Sequence, residues 1–252
     1  MPTKSKVRNM FDSIAGNYDA LNHILSLDVD KIWRRKALKQ IVDAPAQVQV
    51  LDLACGTGDF SIAIAKALTR SFRQAQRPTC AVTEHAEVTG DHVTGVDLSE
   101  GMLAVMREKV GKAGLNEMIS IEEGDGENLR FPDNTFDRVT IAFGIRNFED
   151  RPKGLKEMLR VLKPGGRLVI LELSRPENKV IRWFYDLYFL HILPKIGGKV
   201  SGDKAAYAYL PTSVAAFPGK KEFMTTMREA GFRNVTHKAF TLGVCRMYTG
   251  EK

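Results

Sequence analysis

Cysteine is scarce. The 252 residues hold three, Cys55, Cys80 and Cys245, odd in number and scattered. That excludes a disulfide framework and a cysteine-built zinc site, and it suits a reducing, cytoplasmic setting in which each thiol is a small apolar residue. No apolar run approaches the roughly 20 residues of a membrane span. The first residues, "MPTKSKVRNMFDSIAGNYD", are basic but lack an apolar core and a small-residue cleavage site, so no secretory signal is expected. No internal repeat, low-complexity tract or metal-ligand spacing is visible. The net charge of +7 would suit nucleic acid or an anionic membrane face. The cations are spread along the chain, however, with only short clusters such as "WRRK", so a solvated surface is the reading and no nucleic-acid partner is expected.

What is present is a long alternation. Residues 1–45 read as a helical cap in which Ile32, Trp33, Leu38, Ile41 and Val42 fall near helical spacing. "VQVLDLA" is a buried strand and "GDFSIAIAKAL" a helix. Ser71 to Gly90 lacks sustained periodicity and reads as a long mobile loop. "HVTGVDL" resumes as a strand, and a helix capped by Ser99 follows. "MISIEEGD", "FDRVTIAF" and "GRLVILELS" are further strands, and the helix "KGLKEMLRVL" stops at "KPGG". Such alternation implies right-handed crossovers and a parallel sheet. Beyond Ser174, Lys179 to Leu193 and Gly219 to Ala230 read as helices, and the C-terminus as an antiparallel hairpin. The expected fold is α/β: a Rossmann-like, doubly wound, mostly parallel seven-stranded sheet of order 3-2-1-4-5-7-6. Residues 46–252 form that domain, with 178–218 as a lid region.

The chemistry concentrates at strand ends. "VLDLACGTGDFS" places Gly56 and Gly58 after the first strand, where open parallel sheets bind ligands. A dinucleotide fingerprint would carry a third glycine where Ser61 stands. Asp52 and Asp59 flank the turn and would repel pyrophosphate. They favour a cation, such as the sulfonium and ammonium of S-adenosylmethionine. Asp97, ending the second strand, can accept from both ribose hydroxyls. Asp125 and Gly126, after the third strand, would lie against adenine, with Asp125 accepting from its amine.

These residues resemble the class I S-adenosylmethionine-dependent methyltransferases over Val48 to Ser174. Along nearly its whole length the chain resembles more narrowly the ubiquinone/menaquinone biosynthesis C-methyltransferases. "YDALNHILSLDVDKIWRR" and "RVLKPGGRLVILELS" look like that family's two signatures, and "AFGIRNFED" and "HILPKIGG" match further segments. Asp28 stands where the family usually has glycine, and aspartate tolerates the left-handed conformation. The 71–90 segment is longer than the family norm.

The resemblance implies a cofactor set of Asp52, Gly56, Thr57, Gly58, Asp97, Asp125, Gly126 and Ala142, with no metal. It implies methyl transfer from S-adenosylmethionine to a ring carbon of a polyprenylated quinol, demethylmenaquinol to menaquinol in the preferred reading. A benzoquinol head, or another lipophilic acceptor, stays open. An oxidoreductase is opposed by Asp52, Asp59 and the missing glycine, and an RNA-directed enzyme rests on charge alone. The reaction needs carbon and methyl held about 3–3.5 Å apart, water excluded, and a phenol that titrates near 10 ionised. Arg146 is the candidate to stabilise the phenolate or to orient a water that takes the proton, and Asn147 to position the ring oxygen. "GIRN" lacks the prolines usual in amine-directed relatives. Tyr18, Asp19, His191, Tyr207 and Tyr209 are weaker candidates than Arg146 for that help, of a kind more often core or tunnel wall than base. In "KVIRWFYDLYFLHILPKIGGK", Trp183, Leu187 and Leu190 recur at helical spacing, as do Phe184, Tyr188 and His191. Packing on the sheet is one reading of this helix; a lid lining a tail channel is the other. Lys179, Arg182, Lys195 and Lys199 flank it and leave room for peripheral membrane contact, at the inner face of the cell membrane. A homo-oligomer is also left open.

Overall fold

Four apolar runs are buried on both faces, which only the middle of a two-sided sheet allows. They are β1 (Gln49–Leu53), β2 (His92–Asp97), β4 (Phe136–Ala142) and the body of β5 (Leu162–Leu173). The computed structural model describes residues 3–19, 26, 28–43, 47–75, 90–188 and 204–252, without the side chains of 71–75 and 204–208. With β3 (Ile119–Glu123), β6 (Arg233–Phe240) and β7 (Cys245–Glu251), the strands form one seven-stranded sheet of order β3-β2-β1-β4-β5-β7-β6. The pairs from β3 to β5 are parallel, with Asp52 beside Gly95 and Thr140. β7 runs antiparallel to both β5 and β6, so the C-terminal hairpin inserts its second strand and leaves β6 at the edge. The expected order and hairpin are both found.

Helices cover both faces. On one, α2 (Val29–Ile41), α3 (Asp59–Ala75) and α4 (Glu100–Lys112) bury Trp33, Ile41, Ile64, Leu103 and Met106 against the sheet. On the other, α5 (Arg151–Val161) and α8 (Lys220–Glu229) bury Leu155, Met158, Phe223 and Met227. The N-terminal helix α1 (Lys4–Ile14) lies against α4, where Asp12 accepts from Ser99 Oγ at 2.5 Å and from the Gly101 amide at 3.0 Å. Ser99 itself caps α4, accepting from the Met102 amide at 3.2 Å. Two helices of the later segment are described, α6 (Lys179–Leu187) and α7 (Lys204–Ala215). Among the described residues no helix is long and apolar enough to cross a membrane.

Two local expectations need comment. Asp28 sits at φ 60°, the left-handed region that it was expected to tolerate, directly before α2. The loop expected from Ser71 does not begin there, because α3 continues to Ala75. Arg and Gln are good helix formers, and no proline interrupts the chain before Pro78. Residues 76–89 of that segment, and the 189–193 end of the expected Lys179 to Leu193 helix, lie outside the described residues.

Candidate active site

The turn after β1 is built on positive φ. Ala54, Gly56 and Gly58 stand at 49°, 56° and 82°. A side chain at Gly58 would run into Met106 of α4, so this glycine lets the turn pack onto that helix. Gly56 faces the ligand side, and its amide donates to Asp97 Oδ2 at 2.9 Å. The other oxygen, Oδ1, accepts from the Ser99 amide, also at 2.9 Å. One carboxylate at the end of β2 thus ties the two loops that frame the cleft. Burial pushes the Asp97 carboxyl up, while the amides of Ser99, Gly56 and Leu98 pull the other way.

From this turn the cleft extends in two directions. Asp97, Asp125, Gly126, Ala142 and Asn147 line one arm. Gly126 is required there, since a Cβ would come within 2.6 Å of the Phe148 ring. Asp125 accepts from the Glu127 amide at 2.9 Å and from Lys4 Nζ of α1 at 2.6 Å, so the N-terminal helix closes over this arm. Asp19, Arg34, Asp52, Thr57 and Asp59 line the other arm. Asp52 is 1% exposed and accepts from Ser61 Oγ at 2.6 Å. Its carboxyl is pushed up to about 7 by burial, against the Ser61 hydrogen bond and the charge of Arg34.

The sequence suggested two bare acids at this turn. Asp59 is instead paired, with Arg34 Nη1 at 3.2 Å and with Lys109. Lys109 also holds Asp19 at 2.6 Å, and Asp19 accepts from Thr57, so the segment after α1 is pinned to the glycine turn. Arg34 keeps a buried Nε without a hydrogen-bond partner. This arm therefore offers a cation beside carboxylates, which fits the carboxylate and ammonium of an amino acid. The first arm, a strand-end carboxylate followed by Asp125–Gly126, fits a nucleoside. Together they fit S-adenosylmethionine, with Asp97 and Asp125–Gly126 at adenosine and Arg34, Asp52 and Thr57 at the methionine end.

A third cavity, of about 420 Å³, lies alongside. Val29, Trp33, Leu173, Ile181 and Tyr185 give it a mainly apolar wall. Its charged members are Arg146 and the Asp30–Arg34 pair, 3.5 Å apart. Tyr18 and Phe143 line this cavity and both arms of the cofactor cleft, so the three spaces meet at these two rings.

Arg146 follows β4 in a short 3-10 turn, Ile145–Asn147, and is 7% exposed. Nη1 donates to Glu172 Oε1 at 2.9 Å and to the Phe143 carbonyl; Nε reaches Ser213 Oγ at 3.3 Å. Glu172 Oε2 accepts the Arg146 amide at 3.1 Å. Burial alone would weaken the guanidinium's hold on its proton, but Glu172, with Tyr18 and Tyr209, raises it overall. Asn147 lies apart from Arg146: it lines the adenosine arm, with Oδ1 accepting from Tyr209 at 2.8 Å. His191 lies outside the described residues, as does the side chain of Tyr207. Among the described residues no group of side chains could hold a metal ion.

Sequence reasoning missed Glu172, Arg34, Lys109 and Tyr185. Glu172 had a signal, an acid inside the apolar run "LVILEL" of a central strand. Arg34 and Lys109 looked like ordinary helix-surface cations.

Comparison with known proteins matches this geometry. A family model described as the ubiE/COQ5 methyltransferase family matches residues 2–252. The ubiquinone/menaquinone biosynthesis C-methyltransferase UbiE of Geobacter sulfurreducens is 46% identical over 247 residues, 98% of this chain and 88% of that one. The demethylmenaquinone methyltransferase of Bacteroides fragilis is 42% identical over 247 residues, 98% and 92% of the two chains. Among solved structures, the [4+2]-cyclase SpnF superposes with a TM-score of 0.70 at 17% identity, covering 100% of this chain and 97% of that one. A SAM-dependent methyltransferase from Aquifex aeolicus gives 0.58 at 20% identity, covering 86% and 88%. These structural likenesses concern the fold alone. The family match and the sequence relatives go further: this chain belongs to the ubiE/COQ5 methyltransferase family, and S-adenosylmethionine is its methyl donor.

Proposed function

We propose that the enzyme methylates a ring carbon of a polyprenylated quinol, demethylmenaquinol to menaquinol, and that the third cavity receives the ring. One observation carries this reading. A buried arginine lines a large apolar cavity that meets the cofactor cleft at Tyr18 and Phe143. When bound, S-adenosylmethionine supplies an electrophilic methyl on a sulfonium. The chain's own residues must then make an aromatic carbon nucleophilic and keep water away. Arg146 does the first: a fixed cation beside the quinol hydroxyl favours the phenolate, whose charge activates the ring. Glu172 aims it, fixing Nη1 and the main chain, while no described contact uses Nη2. That nitrogen is left to bind the quinol oxygen, or a water that takes the ring proton.

The apolar walls exclude bulk water and strengthen this electrostatic contact. Ile181, Tyr185 and Tyr188 form one wall, so these side chains of α6 and its end serve as the lid over the ring. Asn147, held by Tyr209, acts on the cofactor side, not on the ring oxygen. A long-tailed quinol resides in the bilayer, so the enzyme meets its substrate as a peripheral protein. The quinone profile of a strain lacking this enzyme tests the acceptor. Accumulated demethylmenaquinone, cleared when the gene is restored, is expected; an unchanged menaquinone pool, or loss of a benzoquinone only, overturns the naphthoquinol assignment.

A further inference from the structure

Helix α6 has no buried residue, yet it is largely apolar. Val180, Trp183, Phe184 and Leu187 recur at i, i+3, i+4 and i+7 and are 66%, 61%, 60% and 39% exposed. A stripe of that period on a surface helix normally faces the core. Here the cavity is lined by the neighbouring positions Ile181, Tyr185 and Tyr188, and of the stripe by Phe184 alone. The Trp183 and Phe184 rings meet edge to face at 4.9 Å and form one apolar projection. A second element does the same. Leu242, in the turn between β6 and β7, is 73% exposed, and like Phe184 it also lines the cavity. Two segments far apart in sequence thus turn apolar side chains outward at the rim of one cavity.

The charge agrees with a lipid surface. Lys179 on α6 and Arg35 on α2 are exposed and have no carboxylate partner among the described residues, and Lys36 lies over the Phe240 ring instead. The chain as a whole carries +7. Exposed aromatics with an unpaired lysine on the same helix, and an arginine on a second helix that lines the same cavity, are the makings of an interfacial face on anionic lipid. A self-association through this face would set the same cations against their own copies.

We propose that this rim is a docking face for an anionic lipid bilayer. Trp183, Phe184 and Leu242 enter the headgroup–acyl boundary, and the cavity mouth opens into the membrane. A tailed quinol then reaches Arg146 without its tail crossing water. This inference rests on the reading of a polyprenylated acceptor, and its test separates the two.

The full chain is floated with vesicles of phosphatidylcholine with or without phosphatidylglycerol. Trp33 is 5% exposed and Trp183 61%, so a blue shift of emission on binding reports Trp183. Binding is expected to the anionic vesicles and to fall at least about tenfold in a Val180→Ser/Trp183→Ser variant. Neither residue lines the cavity. Turnover of a short, water-soluble quinol should therefore stay at the wild-type rate, while turnover of a vesicle-borne tailed quinol falls with binding. A variant that floats like wild type overturns the proposal. So does a wild-type dimer, indifferent to vesicles, that the two substitutions split into monomers. If no quinol is methylated yet flotation still depends on Trp183, the acceptor reading falls and the docking face stands.

Discussion

Glu172, with no solvent exposure, holds Arg146 twice: Nη1 at 2.9 Å and the main-chain amide at 3.1 Å. The pair sits across neighbouring strand ends, β4 running into the Arg146 turn and β5 carrying Glu172. Glu172→Gln keeps the shape and removes the charge. A buried arginine left without its counter-charge costs about 3–5 kcal/mol, so the guanidinium will swing toward other partners. Turnover should fall about a hundredfold while cofactor affinity stays within about twofold. Steady-state kinetics with calorimetry of S-adenosylhomocysteine separates these; equal loss of both would mark Glu172 as merely structural.

Asp97 joins the glycine turn to the start of α4 through two amides. Asp97→Ala frees both loops as well as removing the proposed acceptor for ribose. Affinity for S-adenosylhomocysteine should drop at least about a hundredfold, with the far-ultraviolet circular dichroism unchanged. Undiminished binding would show that the adenosine arm is placed wrongly.

Asp52 gives the fold a pH dependence. Its carboxyl is pushed from 3.8 to about 7, chiefly by burial. Between those values the folded chain keeps a proton that the unfolded chain has released. The stability this group contributes is whole below about pH 4 and is lost as pH rises through about 7. Asp52→Asn has no proton to lose. Its melting temperature relative to wild type should rise between pH 5 and pH 8, and a constant difference contradicts the assignment. Because a bound cation favours the ionised carboxylate, wild-type affinity for S-adenosylmethionine should tighten over the same range and that of Asp52→Asn stay flat.

The sheet was legible because each strand is a contiguous apolar run and each crossover an amphipathic helix, patterns set by local burial. The place of Asp97 and Asp125 at the cleft was legible because strand ends are where an open parallel sheet binds ligands. Partnerships across long chain separations were not. Lys4 reaches Asp125 over 121 residues and Lys109 reaches Asp59 over 50, and no local pattern announces either. Arg146 and Asn147 were expected to act together as neighbours in sequence. They share a 3-10 turn, in which successive side chains diverge by about 120°, so Arg146 lines the large cavity and Asn147 the first arm of the cleft.

Arg146 is proposed to activate a quinol ring beside the methyl donor. The direct measurement follows isotope-labelled methyl from S-adenosylmethionine into demethylmenaquinol, with wild type and Arg146→Ala side by side. Label is expected on the ring carbon with wild type, and at a rate lower by about 10²–10³-fold with the variant, whose binding of S-adenosylhomocysteine is unchanged. Label on oxygen, or full-rate carbon labelling without the arginine, would contradict the account.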